Sequence, residues 1–273
     1  MYRTIVRSLI CLNGIAESRG KKRNFTVERD LVYTPDNWPE EVHGDFYRPD
    51  IEGYIPVVLL VHGGGWADND NRYHMVRKVD QLVRAGFAVF NVAYRLAPDY
   101  HFPAPVEDLL ESVKWLKASQ DRLGIDIQRL AFFGYSAGGH LAELAAMREM
   151  PEGVDLRAVV AGGTPHFMRL DPDFPLVQEF MGYPWQDDPD QYRDATPVDR
   201  VDENFPPVFI YHGAKDKLVP RQHVDKWQQR LTELNIQHEV HWVKGRGHIG
   251  TFLRPRDAVT RAIEFLRERL LPR

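Results

Sequence analysis

Six short apolar runs, spaced by longer amphipathic stretches, recur from residue 55 to residue 243 and set the strictest limit on the fold. They are "IPVVLLV" (55–61), "FAVFNV" (87–92), "RLAFFG" (129–134), "RAVVAGG" (157–163), "PVFIYHG" (207–213) and "HEVHWV" (238–243). Each has the length of a strand and is apolar without alternation, so it reads as a strand buried on both faces. Such strands need helices on either side, and the segments between them supply these. In "PAPVEDLLESVKWLKASQDRLG", Val106, Leu109, Leu110, Val113 and Leu116 recur at three and four, and Gly124 stands where a helix stops. "HLAELAAMREM", "RQHVDKWQQRLTELN" and "DAVTRAIEFLRERL" repeat the pattern, the last with Val259, Ala262, Ile263, Leu266 and Leu270 in register. The β-α rhythm implies an α/β class with a mainly parallel sheet flanked by helices. Ahead of it, "FTVERDLVYTP" and "EVHGDFYRP" read as an antiparallel pair, separated by Pro35, Asn37 and Pro39.

Residues 165–206, rich in Asp, Pro and aromatics, break the rhythm and hold one short helical pattern, "FPLVQEFMG". A connection of that length is expected to be a small cap-like excursion that walls a pocket. The chain, 273 residues long, is therefore expected to be a single domain over 1–273 with an N-terminal arm over about 1–26. Ile5, Leu9 and Leu12 would share one side of a short helix in that arm.

Composition excludes several classes of function. A net charge of -4 offers no broad basic surface, so no nucleic acid is expected, and the basic run at 19–25 reads as a solvated face. One cysteine, Cys11, excludes an intramolecular disulfide and a cysteine-based zinc site, and no H-E-x-x-H spacing supports any other metal site. No run approaches the apolar length of a membrane span. Ser8 to Leu12 is too short for a secretory signal, so a cytoplasmic location is expected.

The stretch "AFFGYSAGGHLAEL" places Ser136 between a strand and a helical pattern, within G-x-S-x-G. Gly134 and Gly138 suit a tight strand-to-helix turn, which would present the Ser136 hydroxyl at the end of the sheet. The pattern alone also fits a plain turn that starts a helix, so its weight comes from the rest of the chain. "LLVHGGGWADND" puts three glycines directly after a strand, leaving backbone amides unobstructed. Gly64 and Gly65, joined by Ala137 beside the serine, suit an oxyanion hole. A phosphate loop is disfavoured, since neither G-x-G-x-x-G nor a Walker lysine-serine pair is present.

A serine hydroxyl needs a base, and the base needs a carboxylate. Asp216 in "PVFIYHGAKDKLVP" and His248 in "WVKGRGHIG" each follow a strand and stand in the order serine, acid, histidine. His212 is expected to pack or hydrogen-bond below the site, His241 to be structural and His62 to order the glycine loop. Asp99 and Asp108 come too early to be the acid, whereas Glu239 stays open. Trp66, Phe167, Phe174, Phe180, Tyr183 and Trp185 are candidates for an aromatic pocket border.

Together "HGGGW", "VAYRLAPDYHFPAPVEDLLESVKWL", "GYSAGGHLA", "YHGAKDKLVP" and "GHIG" resemble the esterase/lipase branch of the α/β-hydrolase superfamily, over roughly residue 27 onward. Hormone-sensitive-lipase-like esterases commonly carry aspartate where this chain has Tyr135; tyrosine there is nearer to small carboxylesterases, feruloyl-esterase-like enzymes and kynurenine formamidases. The resemblance implies an α/β-hydrolase fold with an eight-stranded, mostly parallel sheet. It also implies Ser136 as nucleophile, His248 as general base, Asp216 as its partner, and "YRLAP" (94–98) as a brace under the site. The implied activity is hydrolysis of small-molecule carboxylic esters with short acyl chains through an acyl-enzyme, without a cofactor. An arylformamidase or other amide hydrolase, and a non-catalytic binding protein on a hydrolase fold, are the rival readings. A homodimer is left open.

Overall fold

The computed structural model describes residues 25–67 and 69–271. The expected helix with Ile5, Leu9 and Leu12, Cys11 and nearly all of the basic run lie outside the described residues.

The apolar runs form the middle of one eight-stranded sheet in the order β1-β2-β4-β3-β5-β6-β7-β8. The strands are β1 (Phe25–Val32), β2 (His43–Pro49), β3 (Ile55–Val61), β4 (Ala88–Val92), β5 (Ile125–Tyr135), β6 (Leu156–Gly162), β7 (Val208–Gly213) and β8 (His238–Val243). β2 runs antiparallel to both β1 and β4, and every other pairing is parallel. This is the α/β-hydrolase fold, with the antiparallel pair where the two N-terminal runs put it.

Because side chains alternate across a strand, each central strand feeds two cores. Val57, Leu59 and Val61 pack on one face, beneath α2 (Ala104–Ala118), α3 (Ala137–Ala146) and α5 (Gln222–Glu233). Val58 and Leu60 pack on the other, beneath α1 (Val76–Arg84) and α7 (Ala258–Leu270). Gly124 closes the turn after α2 with φ 62°, the left-handed stop expected of it. β8 departs from the doubly buried expectation. It is the edge strand, and only Val243 in it is buried.

The excursion at 165–206 carries α4 (Pro175–Met181), as expected, and also short helical turns at Pro189–Asp194 and Pro197–Arg200. It docks on the carboxyl end of the sheet. The Phe102 amide donates to the Phe180 carbonyl at 3.0 Å, and Leu176 lies against Gly65. Glycine loop, serine turn, aspartate loop and histidine loop all follow the carboxyl ends of parallel strands, so the topology gathers them along one rim.

Candidate active site

Ser136 sits between β5 and α3 with φ 55° and ψ -123°, a backbone conformation that a residue with a side chain rarely adopts. The glycines around it make the turn feasible. A Cβ on Gly134 would strike the Gly138 carbonyl, and one on Gly138 would strike the Val61 and His62 carbonyls, so α3 is pressed against β3 and β5 with only hydrogen between. The Ser136 amide donates to the Gly162 carbonyl at 2.7 Å, which ties the turn to β6.

His248 opens α6 (His248–Leu253), just after β8. Its Nε2 lies 2.9 Å from Ser136 Oγ and its Nδ1 lies 2.8 Å from Asp216 Oδ2. The carboxylate accepts the Nδ1 proton, which leaves the Nε2 lone pair facing the serine hydroxyl. Asp216 is nearly sealed, and its other oxygen accepts from the amides of Leu218 at 3.0 Å and Val219 at 2.9 Å. Burial pushes this carboxyl up. The His248 hydrogen bond and charge and the Val219 amide outweigh it, and the net pKa lies below the ordinary carboxylate value. The arrangement is a serine-hydrolase-like triad.

The competing titratable groups have other partners. His212 donates from Nε2 to the Val219 carbonyl at 2.9 Å, and burial pushes its pKa down to about 4. His241 pairs with Asp257 at 3.3 Å, Asp108 holds Arg95 at 2.8 Å, and Asp99 and Glu239 are exposed.

The glycine loop is braced from below. His62 donates from Nδ1 to the Gly63 carbonyl at 2.8 Å, Tyr94 donates its hydroxyl proton to the His62 carbonyl at 2.9 Å, and the Ala97 amide donates to the Trp66 carbonyl at 2.9 Å. Tyr94 and Ala97 belong to "YRLAP", whose Arg95 is the partner of Asp108. The amides of Gly64 and Gly65 have no acceptor among the described residues, and the first amide of α3, on Ala137, has none inside its helix. All three are therefore free to meet negative charge.

A cavity of about 560 Å³ opens above Ser136. Of the six aromatic candidates, Trp66 and Phe174 line it. Phe180 is fully buried and stacks on Trp66 at 4.7 Å, Tyr183 and Trp185 pack edge-on against Tyr192, and Phe167 lies beneath the Arg169 guanidinium. Aliphatic side chains, among them Met168, Leu176, Val177, Val219 and Ile249, share the wall with Tyr135, Phe252 and a few polar groups. Sequence reasoning passed these over because aliphatic side chains in loops carry no signal separating wall from core. Among the described residues, no group of three or more His, Cys, Asp or Glu side chains is placed to hold a metal, and no helix is long and apolar enough to cross a membrane.

Residues 45–231 match the family described as BD-FAE, well over half of the chain. The chain belongs to the BD-FAE family. Within BD-FAE's matched span lie the glycine loop, Ser136 and Asp216; His248 lies beyond it. Esterase LipC of Mycobacterium tuberculosis is 27% identical over 84% of this BD-FAE chain and 61% of its own length. The chain spans between 52% and 61% of the length of three such curated relatives. Among solved structures, the BD-FAE chain is similar to one titled "Bacterial Heroin Esterase", with a TM-score of 0.78 and 25% identity over 98% of this chain and 88% of that one. A truncated carbohydrate esterase from gut microbiota shares the fold, with a TM-score of 0.80 and 20% identity over 91% of this chain and 98% of that one.

Proposed function

We propose that the protein hydrolyses carboxylic esters with Ser136 as nucleophile, through an acyl-enzyme. The observation that carries this reading is the continuous chain from Ser136 Oγ through His248 to Asp216, at 2.9 and 2.8 Å, beneath a largely apolar cavity. The names of similar proteins, esterases in each case reported, support it.

His248 Nε2 takes the hydroxyl proton as Ser136 Oγ attacks the ester carbonyl, and Asp216 stabilises the imidazolium that results. The oxyanion meets the amides of Gly64, Gly65 and Ala137. His248 then returns the proton to the departing alcohol. Water then attacks the acyl carbon while His248 takes its proton, the bond to Ser136 Oγ breaks, and His248 returns that proton to Oγ as the acid leaves. In this reading the excursion at 165–206 acts as a partial cap, which its contribution of Met168, Phe174, Leu176 and Val177 to the cavity wall supports. The esters in this reading carry short acyl groups, for which the cavity of about 560 Å³ leaves ample room.

Ser136→Ala should lower kcat/KM on 4-nitrophenyl acetate by about four orders of magnitude or more, with Tm nearly unchanged. A phosphonate probe should add its mass to the wild-type protein and not to the variant. An unlabelled, folded wild type would overturn the assignment of the nucleophile. Rapid turnover of N-formylkynurenine with no turnover of any ester would move the activity to formamide hydrolysis.

A further inference from the structure

One polar side chain in the cavity wall plays no part in the steps above. His223 stands at the start of α5, only 7% exposed, and its ring forms part of the cavity lining. The backbone amide of Phe167 donates to its Nδ1 at 3.2 Å. An amide nitrogen offers no lone pair, so Nδ1 is the acceptor and the proton of the neutral ring sits on Nε2. Burial, reinforced by His166 and His212 and only partly opposed by Asp216, pushes the pKa of His223 down to about 3. The ring is therefore neutral throughout any ordinary assay range. Its Nε2 has no acceptor among the described residues, yet it is not one of the sealed nitrogens. Of the other side chains in the wall, Pro165, Met168, Val219 and Pro220 contain no acceptor other than a weak thioether, and Asp171 and Gln222, which carry acceptors, make no hydrogen bond to the ring.

We propose that His223 Nε2–H is the specificity group of the cavity, donating to an oxygen on the substrate (hydroxyl, ether or carbonyl) and so favouring oxygen-bearing esters over all-carbon esters of equal length. The proposal rests on the esterase reading. A donor held in a nearly dry wall must be paired by water or by ligand. An ester oxygenated at the right place displaces that water and replaces its hydrogen bond. An alkyl ester displaces it and leaves the donor unpaired, and sites built around such a donor discriminate against analogues without the acceptor. The Phe167 contact fixes the ring, so the preference should depend on where the oxygen lies.

The test uses the full chain and 4-nitrophenyl hexanoate beside its isosteres with one methylene replaced by oxygen at each internal position. For the alcohol side it adds 4-ethylphenyl and 4-methoxyphenyl acetates. Each kcat/KM is divided by the rate of alkaline hydrolysis of the same ester, which removes intrinsic reactivity. Wild type should show a preference of roughly tenfold at one oxygen position. In His223→Asn, which keeps an acceptor for the Phe167 amide but no donor at Nε2, and in His223→Phe, the favoured ester should lose roughly tenfold more than its alkyl partner. A flat wild-type profile overturns the proposal without any variant, and a peak that survives unchanged in both variants overturns the assignment to His223. Ester turnover with a flat profile sinks this proposal alone, whereas no ester turnover and no phosphonate label on Ser136 sink the esterase reading together with it.

Discussion

At Tyr135 the phenol donates to the carbonyl oxygen of His248 at 2.7 Å, so the residue beside the nucleophile also holds the first residue of the helix that carries the base. Burial, helped by Tyr211 and Asp216, keeps this phenol well above its ordinary pKa and therefore a neutral donor. Lys78 lies over the rings of Tyr135 and Phe252, at 5.7 and 3.7 Å, and packs the same corner from beneath. Tyr135→Phe removes one oxygen and keeps the ring in place. It should lower kcat/KM on 4-nitrophenyl acetate about three- to tenfold and barely move Tm; an unchanged rate would show that the bond does not position His248. The positions of Ser136, Asp216 and His248 could be read from sequence because each follows its own strand. The bond made by Tyr135 could not, since its partner lies 113 residues away and a backbone carbonyl leaves no mark in the sequence. The aromatic border was legible only in part for a related reason: Trp66 and Phe174 line the cavity, whereas Tyr183 and Trp185 pack on Tyr192 inside the excursion and Phe180 packs it down onto Trp66 and Phe102.

Elements were legible where one periodicity dominated. The central strands are apolar on both faces because helices cover both, and they fall within a few residues of the runs that announced them. α1 carries a short form of that signal, with Val76, Val79, Leu82 and Val83 recurring at three and four over only nine residues. Its sequence is largely polar, it buries Val79, Leu82 and Val83 together with the aliphatic stem of Lys78, and a short helical turn at Arg72–Met75 blurs its start. The junction of β5 with α3 is the element-level feature on which the site depends, because α3 can start beneath Ser136 only if nothing separates its first turn from β3. Gly138→Ala puts a methyl group against the Val61 and His62 carbonyls, both backbone atoms that cannot swing aside. It should cost about 1–3 kcal/mol or more in denaturant unfolding. Activity should fall beyond what the lost stability explains, since the Ala137 amide moves with the turn. A variant as stable and as active as wild type would mean that the close approach is not needed.

Across the whole molecule, the sheet, α3 and the excursion meet at a buried pair, Glu143 Oε2 and His166 Nδ1, 2.8 Å apart and both without exposure. Trp227 of α5 stacks on the His166 ring at 5.6 Å, so a second helix of the same face closes over them. Burial raises the Glu143 carboxyl well above its ordinary range, opposed only by the Trp227 N–H, and lowers His166 to about 3. Both groups are then neutral, and the Glu143 acid donates to His166 Nδ1. The two act on stability with opposite sign. Glu143 retains in the fold a proton that the unfolded chain releases above the ordinary value of 4.5, so its contribution is complete below that pH and is lost as pH rises toward its folded pKa. His166, with a lowered pKa, contributes fully above its ordinary 6.5 and loses that contribution as pH falls toward about 3. Above pH 6.5, therefore, the pH dependence of the pair belongs to Glu143 alone. Glu143→Gln keeps the shape and offers an N–H to His166 but does not titrate. The stability of the variant relative to wild type should rise with pH from 6.5 toward 9, by up to about 1.4 kcal/mol per pH unit, as read by urea unfolding at each pH. A difference that stays constant over that interval would show that Glu143 is already ionised in the fold and accepts its hydrogen bond from a neutral His166.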